Sequence, residues 1–204
     1  MDNNDQNLQW ELCKDYFSIV SSTSNTTVSL EELCAFSKIS YEKVLGIIPK
    51  NYLDYKYFFF KILVARLDQE ALEQFKNDVS EDTTSTIYDK ILEGMTIRFE
   101  SYLPYKQALK ILSLSFNLKA KNFLKFFETN NSYMLNLIGL VEQRQNCSFK
   151  FVKSITLNIV FVKTMDIFLK EENNDLDSTL RYLDKYLSDV EDIGIMLGII
   201  QNKL

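Results

Sequence analysis

The sequence predicts an all-α protein, and three observations support this fold class. Glycine and proline, which make many of the turns in sheet proteins, number only five and two among 204 residues. Apolar residues recur every three or four positions through long stretches, which is the period of an α-helix. Ser29, Ser40 and Asp175 each precede such a stretch, in the position that caps the first turn of a helix. We therefore expect long helices rather than many short strands.

The N-terminal part is predicted to hold three helices. Residues 7–20 repeat apolar side chains at helical spacing, and the polar run SSTSNTT ends this helix. Ser29 followed by Glu32 is a capping box, which predicts a short second helix over residues 30–36. After a turn at SKIS, a third short helix is predicted over residues 41–47. Two short helices joined by a turn have the outline of a helix-turn-helix motif.

The remainder of the chain is predicted to form a larger helical part. Periodicity predicts helices over residues 51–76, 87–102, 105–115, 119–127, 132–143 and 149–170, and a last one from about 176 onward. The helix at 149–169 is apolar on all sides, so we expect it to be central. The polar loop at 78–86 is the best candidate for a hinge. We divide the chain into a helix-turn-helix subdomain at 1–50 and a helical ligand-binding and dimerisation domain at 51–204.

The residue inventory bears on the class of function. Histidine is absent, and with it the commonest metal ligand and general base and the Ser-His and Cys-His nucleophile pairs. The acids at 171–175 lie in a loop beside lysine and asparagine, which is typical of a solvated charge run rather than a metal site. We therefore expect a protein that is not an enzyme and that needs neither a metal nor a cofactor.

Signals for the cellular compartment are also present. The N-terminus MDNNDQNLQW is acidic and polar, unlike a signal peptide. The most apolar span, 149–169, is interrupted by three lysines and an aspartate, so it does not predict a transmembrane helix. The three cysteines are widely spaced within apolar runs, as expected for buried thiols in a reducing compartment. These features predict a cytoplasmic protein.

The helix-turn-helix outline raises the question of DNA binding. The side chains that would contact DNA are Lys38, Ser40, Tyr41, Lys43, Lys50 and Tyr52. Residues 1–50, however, carry seven acids and four lysines, a net charge of −3, and no arginine precedes Arg66. That is the wrong sign for a phosphate-binding face, and the whole chain is acidic as well, with a net charge of −5. A three-helix subdomain that packs without contacting DNA is the favoured alternative.

The segment that follows the short helices carries a first family resemblance. The short helices followed by IPKNYLDYKYFF resemble the TetR family of bacterial repressors over about 60 residues. In that family the fourth helix begins with an aromatic residue, then Pro or Ser, Lys and an acidic pair. Pro49 and Lys50 fit this pattern, whereas Ile48 stands where an aromatic is usual and the tyrosine is shifted to Tyr52. The resemblance implies a TetR-like fold and a DNA-binding repressor controlled by an apolar ligand.

A second resemblance covers most of residues 85–194. YDKILEGMTIRFESYLPYKQAL at 88–109 and FVKTMDIFLKEENNDLDSTLRYLDKYLSDVEDIG at 161–194 are similar to the ubiquinone-biosynthesis accessory family, the lipid-binding coenzyme Q protein nine and its bacterial relatives. That family has the TetR fold. The resemblance implies an isoprenoid lipid in an apolar pocket, a C-terminal amphipathic helix on the inner membrane, and support of a hydroxylation enzyme of the ubiquinone pathway. Around Gly139 the sequence MLNLIG replaces the aromatic and polar patch that contacts this enzyme, which puts that interaction in question.

The candidate lipid pocket lies within residues 85–170. Its predicted lining is apolar and consists of Met95, Phe99, Leu103, Leu112, Phe116, Met134, Leu137, Phe161 and Met165. Arg98 lies among these residues and either anchors a ligand headgroup or pairs with an acid such as Asp89 or Glu100; we favour pairing. The apolar tail at 193–204 either docks on a membrane or forms a dimer interface. We expect a homodimer through the C-terminal helices.

Overall fold

The computed structural model describes residues 3–48, 55–79, 82–115, 120–142 and 149–196. Within these ranges the chain forms nine α-helices, one short 3-10 helix and no strand, which confirms the predicted all-α class. The helices are α1 (Asn3–Thr23), α2 (Leu30–Ser37), α3 (Tyr41–Ile47), α4 (Tyr55–Asp78), α5 (Ile87–Tyr102), α6 (Lys106–Ser115), α7 (Ala120–Val141), α8 (Lys150–Lys170) and α9 (Asp177–Met196). None of the helices in these ranges is both long and apolar enough to cross a membrane. A TetR-like arrangement stays a prediction.

Side-chain capping explains where several helices begin. The predicted box at the start of α2 is present: Ser29 Oγ accepts a hydrogen bond from the backbone N–H of Glu32 at 3.1 Å, and Glu32 Oε2 accepts one from the N–H of Ser29 at 2.8 Å. Thr86 and Asp89 form a second box at the start of α5. Ser40 precedes α3 with an extended backbone, but its side chain makes no capping bond. Helices α2 and α5 therefore begin at capping hydrogen bonds, each worth about 1 kcal/mol.

The structure corrects one predicted helix boundary and one predicted helix cap. The two helices predicted over 119–127 and 132–143 are a single continuous helix, α7. The run TNNS at 129–132 has low helix propensity and favours a break. Asn130, however, is buried and accepts a hydrogen bond from an arginine of α5, so a tertiary contact carries the helix through this run. The last helix, α9, begins at Asp177, close to the predicted start, but two N–H groups of its first turn donate to the Glu171 carboxylate rather than to the predicted cap Asp175.

The chain divides into two compact units. Unit 1 comprises Met1–Leu67 and Pro104–Leu118, and unit 2 comprises Asp68–Leu103 and Lys119–Leu204. The division between the units therefore falls within α4. The separate division into functional domains at 1–50 and 51–204 stays a prediction.

Unit 1 is built on α1, which packs against α2 and α6, while α2 packs against α3. Its interior is aromatic: Tyr16 stacks on Phe59 with 4.8 Å between ring centroids, and Phe17 meets Tyr105 edge-on at 5.9 Å. The buried Cys13 thiol donates a hydrogen bond to the carbonyl of Phe59 at 3.3 Å. Burial raises the pKa of this thiol, so Cys13 is a buried thiol as the sequence predicts, whereas Cys34 is only half-buried.

Unit 2 is organised around α8, which packs against α7 and α9, while α5 also packs against α7 and α9. This arrangement agrees with the expectation that α8 is central. One side of α8 nevertheless faces solvent, since Phe151, Val152 and Ile159 are 64%, 43% and 50% exposed. The apolar residues of α8 thus serve two purposes, because one face fills the interior and the other forms an exposed apolar surface.

Helices α5 and α7 approach each other closely at Gly94. A β-carbon at this position would lie 2.4 Å from Leu137 Cδ1. The hydroxyl of Tyr133 donates a hydrogen bond to the carbonyl of Gly94 at 2.6 Å, which holds the two backbones together. Both side chains on α7 are buried, so they have little room to retreat from a larger residue.

We expect the free energy of unfolding of the Gly94→Ala variant to be about 1–3 kcal/mol lower than that of the Gly46→Ala variant, because the new methyl group at position 94 overpacks Leu137. The control is Gly46→Ala in α3, where nothing lies within 4 Å of the β-carbon position. Both variants gain the same helix propensity, about 1 kcal/mol. Urea unfolding followed by circular dichroism measures the two free energies. Equal stabilisation of both variants would contradict the close approach.

Candidate functional site

The interior of unit 2 contains a charged side chain, Arg98 of α5, which is fully buried. Its Nε and Nη2 donate hydrogen bonds to the two carboxylate oxygens of Asp68 at 2.7 and 2.8 Å. Asp68 lies on α4 and is itself buried. Two parallel bonds of this kind are the fork geometry in which a guanidinium and a carboxylate pair most strongly. A buried ion pair therefore forms the polar centre of unit 2.

Four further side chains surround this ion pair. Nη2 also donates to Asn130 Oδ1 at 2.7 Å, and the Tyr102 hydroxyl donates to Asp68 Oδ1 at 3.1 Å. The guanidinium carbon lies 4.2 Å from the ring centroid of Tyr133 and 4.0 Å from that of Phe161, in cation-π contact. We name this cluster the arginine centre, and it consists of Asp68, Arg98, Tyr102, Asn130, Tyr133 and Phe161.

Burial and pairing act in opposite directions on the ionisation of the arginine centre. Burial alone would lower the pKa of Arg98, but the charge of Asp68 and its hydrogen bonds raise that pKa above its ordinary value. Burial raises the pKa of the Asp68 carboxyl, and the contacts with Arg98 oppose this rise. Burial also raises the pKa of the Tyr102 and Tyr133 hydroxyls. The Asp68 carboxylate accepts its described hydrogen bonds, from Arg98 and from the Tyr102 hydroxyl, as an ionised carboxylate does. We therefore assign the centre as an ion pair without net charge at neutral pH.

The arginine centre has more donors than acceptors. Arg98 Nη1 and Asn130 Nδ2 are buried, and within the described part of the chain neither has a hydrogen-bond partner. The orientation of the amide follows from its neighbour, because a guanidinium can only donate and so must face the amide oxygen. Nη1 shares a carbon with Nη2, and Nδ2 shares a carbon with Oδ1. The two unpaired nitrogens therefore flank one hydrogen bond, that between Nη2 and Oδ1.

The predicted pocket residues fall mostly in unit 2. Five of the nine are at most 1% exposed there, namely Met95, Phe99, Met134, Leu137 and Phe161. Leu103 and Met165 are half-buried in the same unit. Leu112 is buried in unit 1 instead, and Phe116 lies outside the described residues. The structure thus gathers seven of the predicted residues in one unit, and whether they line a lipid pocket stays a prediction.

The buried members of this set contact one another and the arginine centre. Phe99 stacks on Phe161 with 5.0 Å between ring centroids, and it also meets Phe168 at 5.5 Å. Phe161 in turn covers the guanidinium of Arg98. The aromatic rings are therefore packed in direct contact, and Phe161 is the residue through which the apolar set adjoins the polar centre.

The predicted DNA-contacting residues lie at the turn between α2 and α3. Four of them are exposed, namely Lys38, Ser40, Tyr41 and Lys43, while Lys50 and Tyr52 lie outside the described residues. Lys38 ends α2 in a left-handed conformation with a φ of 55°. Phe36 and Leu45 are exposed nearby in sequence, by 52% and 43%. This part of unit 1 therefore presents apolar side chains as well as lysines to solvent.

The C-terminal predictions fall largely outside what the structure describes. Residues 197–204 are outside the described ranges, and within 193–196 burial is described only for Gly194, which is buried. The choice between membrane docking and a dimer interface for residues 193–204 therefore stays open. The homodimer also stays a prediction, for which the exposed apolar side of α8 is a candidate surface.

The sequence singles out Arg98 and Phe161 of the arginine centre, but not its other four members. The expected pairing with an acid is confirmed, yet the partner is Asp68 rather than Asp89, which caps its own helix, or Glu100, which is exposed. One signal was available: Asp68 lies one turn before the buried Ala71 and so falls on an apolar face. Among the described residues, no group of three or more cysteine, aspartate or glutamate side chains is placed to hold a metal ion.

Comparison with known proteins adds no assignment. No family model matches this sequence, and no curated protein matches it significantly. The resemblances to the TetR and coenzyme Q accessory families therefore rest on the quoted motifs alone.

We expect Asp68→Asn to lower the free energy of unfolding by about 3–5 kcal/mol, because it leaves Arg98 as an uncompensated buried charge. The double variant Asp68→Leu/Arg98→Met should recover much of this loss, since it removes both charges. Asp166→Asn is the control, because it breaks an exposed ion pair with Lys170 and should cost less than about 1 kcal/mol. Chemical denaturation measures all three variants. Similar losses for the Asp68 and Asp166 variants would refute the structural importance of the buried pair.

Proposed function

We propose that this protein binds an apolar lipid of the isoprenoid or quinone type in unit 2, without catalysing a reaction, in support of ubiquinone biosynthesis. The observation that carries the proposal is the arginine centre, where unpaired donors lie buried next to large apolar side chains. Ligand sites typically combine a mostly apolar lining with a few convergent polar groups. The link to ubiquinone biosynthesis is supported by the motif resemblance over residues 85–194.

The residues near the arginine centre suit an apolar ligand. The buried set contains two methionines, Met95 and Met134, whose unbranched thioether side chains repack readily around a bound molecule. Phe99 and Phe161 provide flat apolar surfaces in the same unit. An interior of this composition can rearrange around a ligand more easily than one built from branched side chains.

The ionisation of the arginine centre supports binding rather than catalysis. A general base needs a pKa near the working pH and a free position next to the substrate. The raised pKa values of Arg98, Tyr102 and Tyr133 keep these groups protonated at neutral pH. Asp68 is occupied by hydrogen bonds from Arg98 and Tyr102. The centre is therefore suited to donating hydrogen bonds to a bound molecule.

We expect protein purified under native conditions to carry one lipid per chain, detectable by native mass spectrometry and identified after solvent extraction. Met165→Trp should reduce the bound lipid several-fold, because this half-buried position lies one helical turn from Phe161 and the larger side chain would occupy the site. Ile159→Trp on the exposed side of α8 is the matched control and should leave the lipid content unchanged. Wild-type protein that carries no lipid and takes up none from vesicles would exclude this function.

A second candidate function is a TetR-type DNA-binding repressor controlled by an apolar ligand. The observation in its favour is the short connection between α2 and α3, which leaves Lys38, Tyr41 and Lys43 exposed together with the start of α3. In helix-turn-helix proteins the second helix of such a pair contacts the bases and its surroundings contact phosphates. The acidic balance of residues 1–50 opposes this function.

The repressor function predicts a gel shift with DNA from upstream of the protein's own gene. Binding through lysines should weaken steeply between about 50 mM and 200 mM salt, because phosphate contacts release counterions. Lys43→Glu should abolish the shift, whereas Lys170→Glu, on an exposed lysine of unit 2, should leave it intact. Absence of any shift at the lower salt concentration would eliminate this candidate.

A further inference from the structure

The unpaired donors of the arginine centre define the polar end of the ligand. We propose that Arg98 Nη1 and Asn130 Nδ2 together bind one carbonyl oxygen, so that the ligand is an apolar molecule with an uncharged ketone-type or ester-type head. This inference rests on the proposed function, because it names the headgroup that the bound lipid must carry. It extends that function from a class of apolar molecules to a specific polar contact.

The hydrogen bonds of Arg98 show which of its N–H groups lack an acceptor. The guanidinium has five N–H groups, and described acceptors satisfy three of them. Nε and Nη2 donate to Asp68, and Nη2 also donates to Asn130. Both hydrogens of Nη1 and both hydrogens of the Asn130 amide are left, and these nitrogens are buried. A buried donor without an acceptor costs free energy, so an acceptor atom at this position is favoured.

The two unpaired groups adjoin the same hydrogen bond. Nη1 is bonded to the carbon that carries Arg98 Nη2, Nδ2 is bonded to the carbon that carries Asn130 Oδ1, and Nη2 and Oδ1 are joined by a hydrogen bond of 2.7 Å. The guanidinium carbon lies 4.2 Å from the ring centroid of Tyr133 and 4.0 Å from that of Phe161, so these two rings restrict the directions from which a ligand can approach it. The edge that carries Nε is occupied by Asp68. The edge that carries Nη1 is therefore the position for a ligand atom.

The charge of the centre selects an uncharged acceptor. The positive charge of Arg98 is already balanced by Asp68 in a bidentate pair. An anionic headgroup would bring a second negative charge into the interior, where desolvation and repulsion by Asp68 oppose it. A carbonyl oxygen has two lone pairs and no hydrogen, so it can accept from Nη1 and Nδ2 at once.

The apolar side chains next to the arginine centre suit the hydrocarbon part of the ligand. Phe161 belongs both to the arginine centre and to the buried apolar set, because it covers Arg98 and stacks on Phe99. A carbonyl held at Arg98 therefore leaves the hydrocarbon part of the ligand next to aromatic rings. The arrangement fits a molecule with one polar end and a long apolar remainder.

Three probes of equal chain length test this proposal with the full-length, delipidated protein: a thirteen-carbon methyl ketone, the matching alkane and the matching carboxylate. Isothermal titration calorimetry should show that wild-type protein binds the ketone at least about tenfold more tightly than the alkane, the effect of hydrogen bonds to a charged donor. The carboxylate should bind more weakly than the ketone. A position occupied only by a buried water would give equal affinities for ketone and alkane, which would overturn the carbonyl contact and leave lipid binding intact.

Asn130→Asp supplies the matched variant, because it keeps an oxygen on Arg98 and replaces the unpaired amide nitrogen with a second oxygen. Its ketone affinity should fall to that of the alkane. Asn136→Asp, at an exposed position of the same helix, should behave as wild type. An undiminished ketone preference in Asn130→Asp would overturn the proposal, as would tighter binding of the carboxylate than of the ketone by wild type.

The wild-type comparison of the three probes decides the question independently of the stability of the variant. Wild-type protein that binds none of the three probes would refute the proposed lipid-binding function itself, and with it the carbonyl contact. Equal binding of ketone and alkane refutes only the contact. The two failures are thus distinguishable.

Discussion

The buried ion pair between Arg98 and Asp68 is the interaction on which the interior of unit 2 depends. It joins α4 to α5, the bond to Asn130 adds α7, and the contact with Phe161 adds α8. A buried charge is tolerated only when its partners are in place, because an isolated one carries a large desolvation penalty. The four helices must therefore assemble together, and the unit has little freedom to lose one of them and keep the rest.

The same centre connects stability with binding. Protein interiors leave few buried polar groups without a partner, so the unpaired nitrogens of Arg98 and Asn130 are an exception that requires an explanation. A ligand that pairs them removes a cost from the folded state alone, since the unfolded chain donates these hydrogens to water. By mass action such a ligand stabilises the fold by an amount that rises with the logarithm of its concentration relative to its Kd. Occupancy of the site and persistence of the folded state are thereby linked.

What the sequence predicts well is what depends on neighbours in the chain. The boundaries of α2 and α5 follow from periodicity and from capping boxes such as that of Ser29 and Glu32. The continuity of α7 was missed because Asn130 is held by a residue 32 positions away. Arg98 stands out as a charge among apolar residues, but its partner lies 30 positions earlier. The position of Asp68 on an apolar face predicts its burial, whereas its pairing with Arg98 follows only from the fold. The burial of Met95 and Leu137 is predicted by their helical periodicity. The location of Leu112 in unit 1 rather than unit 2 follows only from the three-dimensional fold.

The close approach at Gly94 constrains how positions 94 and 137 can change together in relatives of this protein. Gly94 and Arg98 are one helical turn apart on α5, and Tyr133 and Leu137 are one turn apart on α7. Leu137 meets the glycine, while Tyr133 contacts both Gly94 and Arg98. The volumes at positions 94 and 137 are therefore coupled, and a larger residue at one should coincide with a smaller residue at the other.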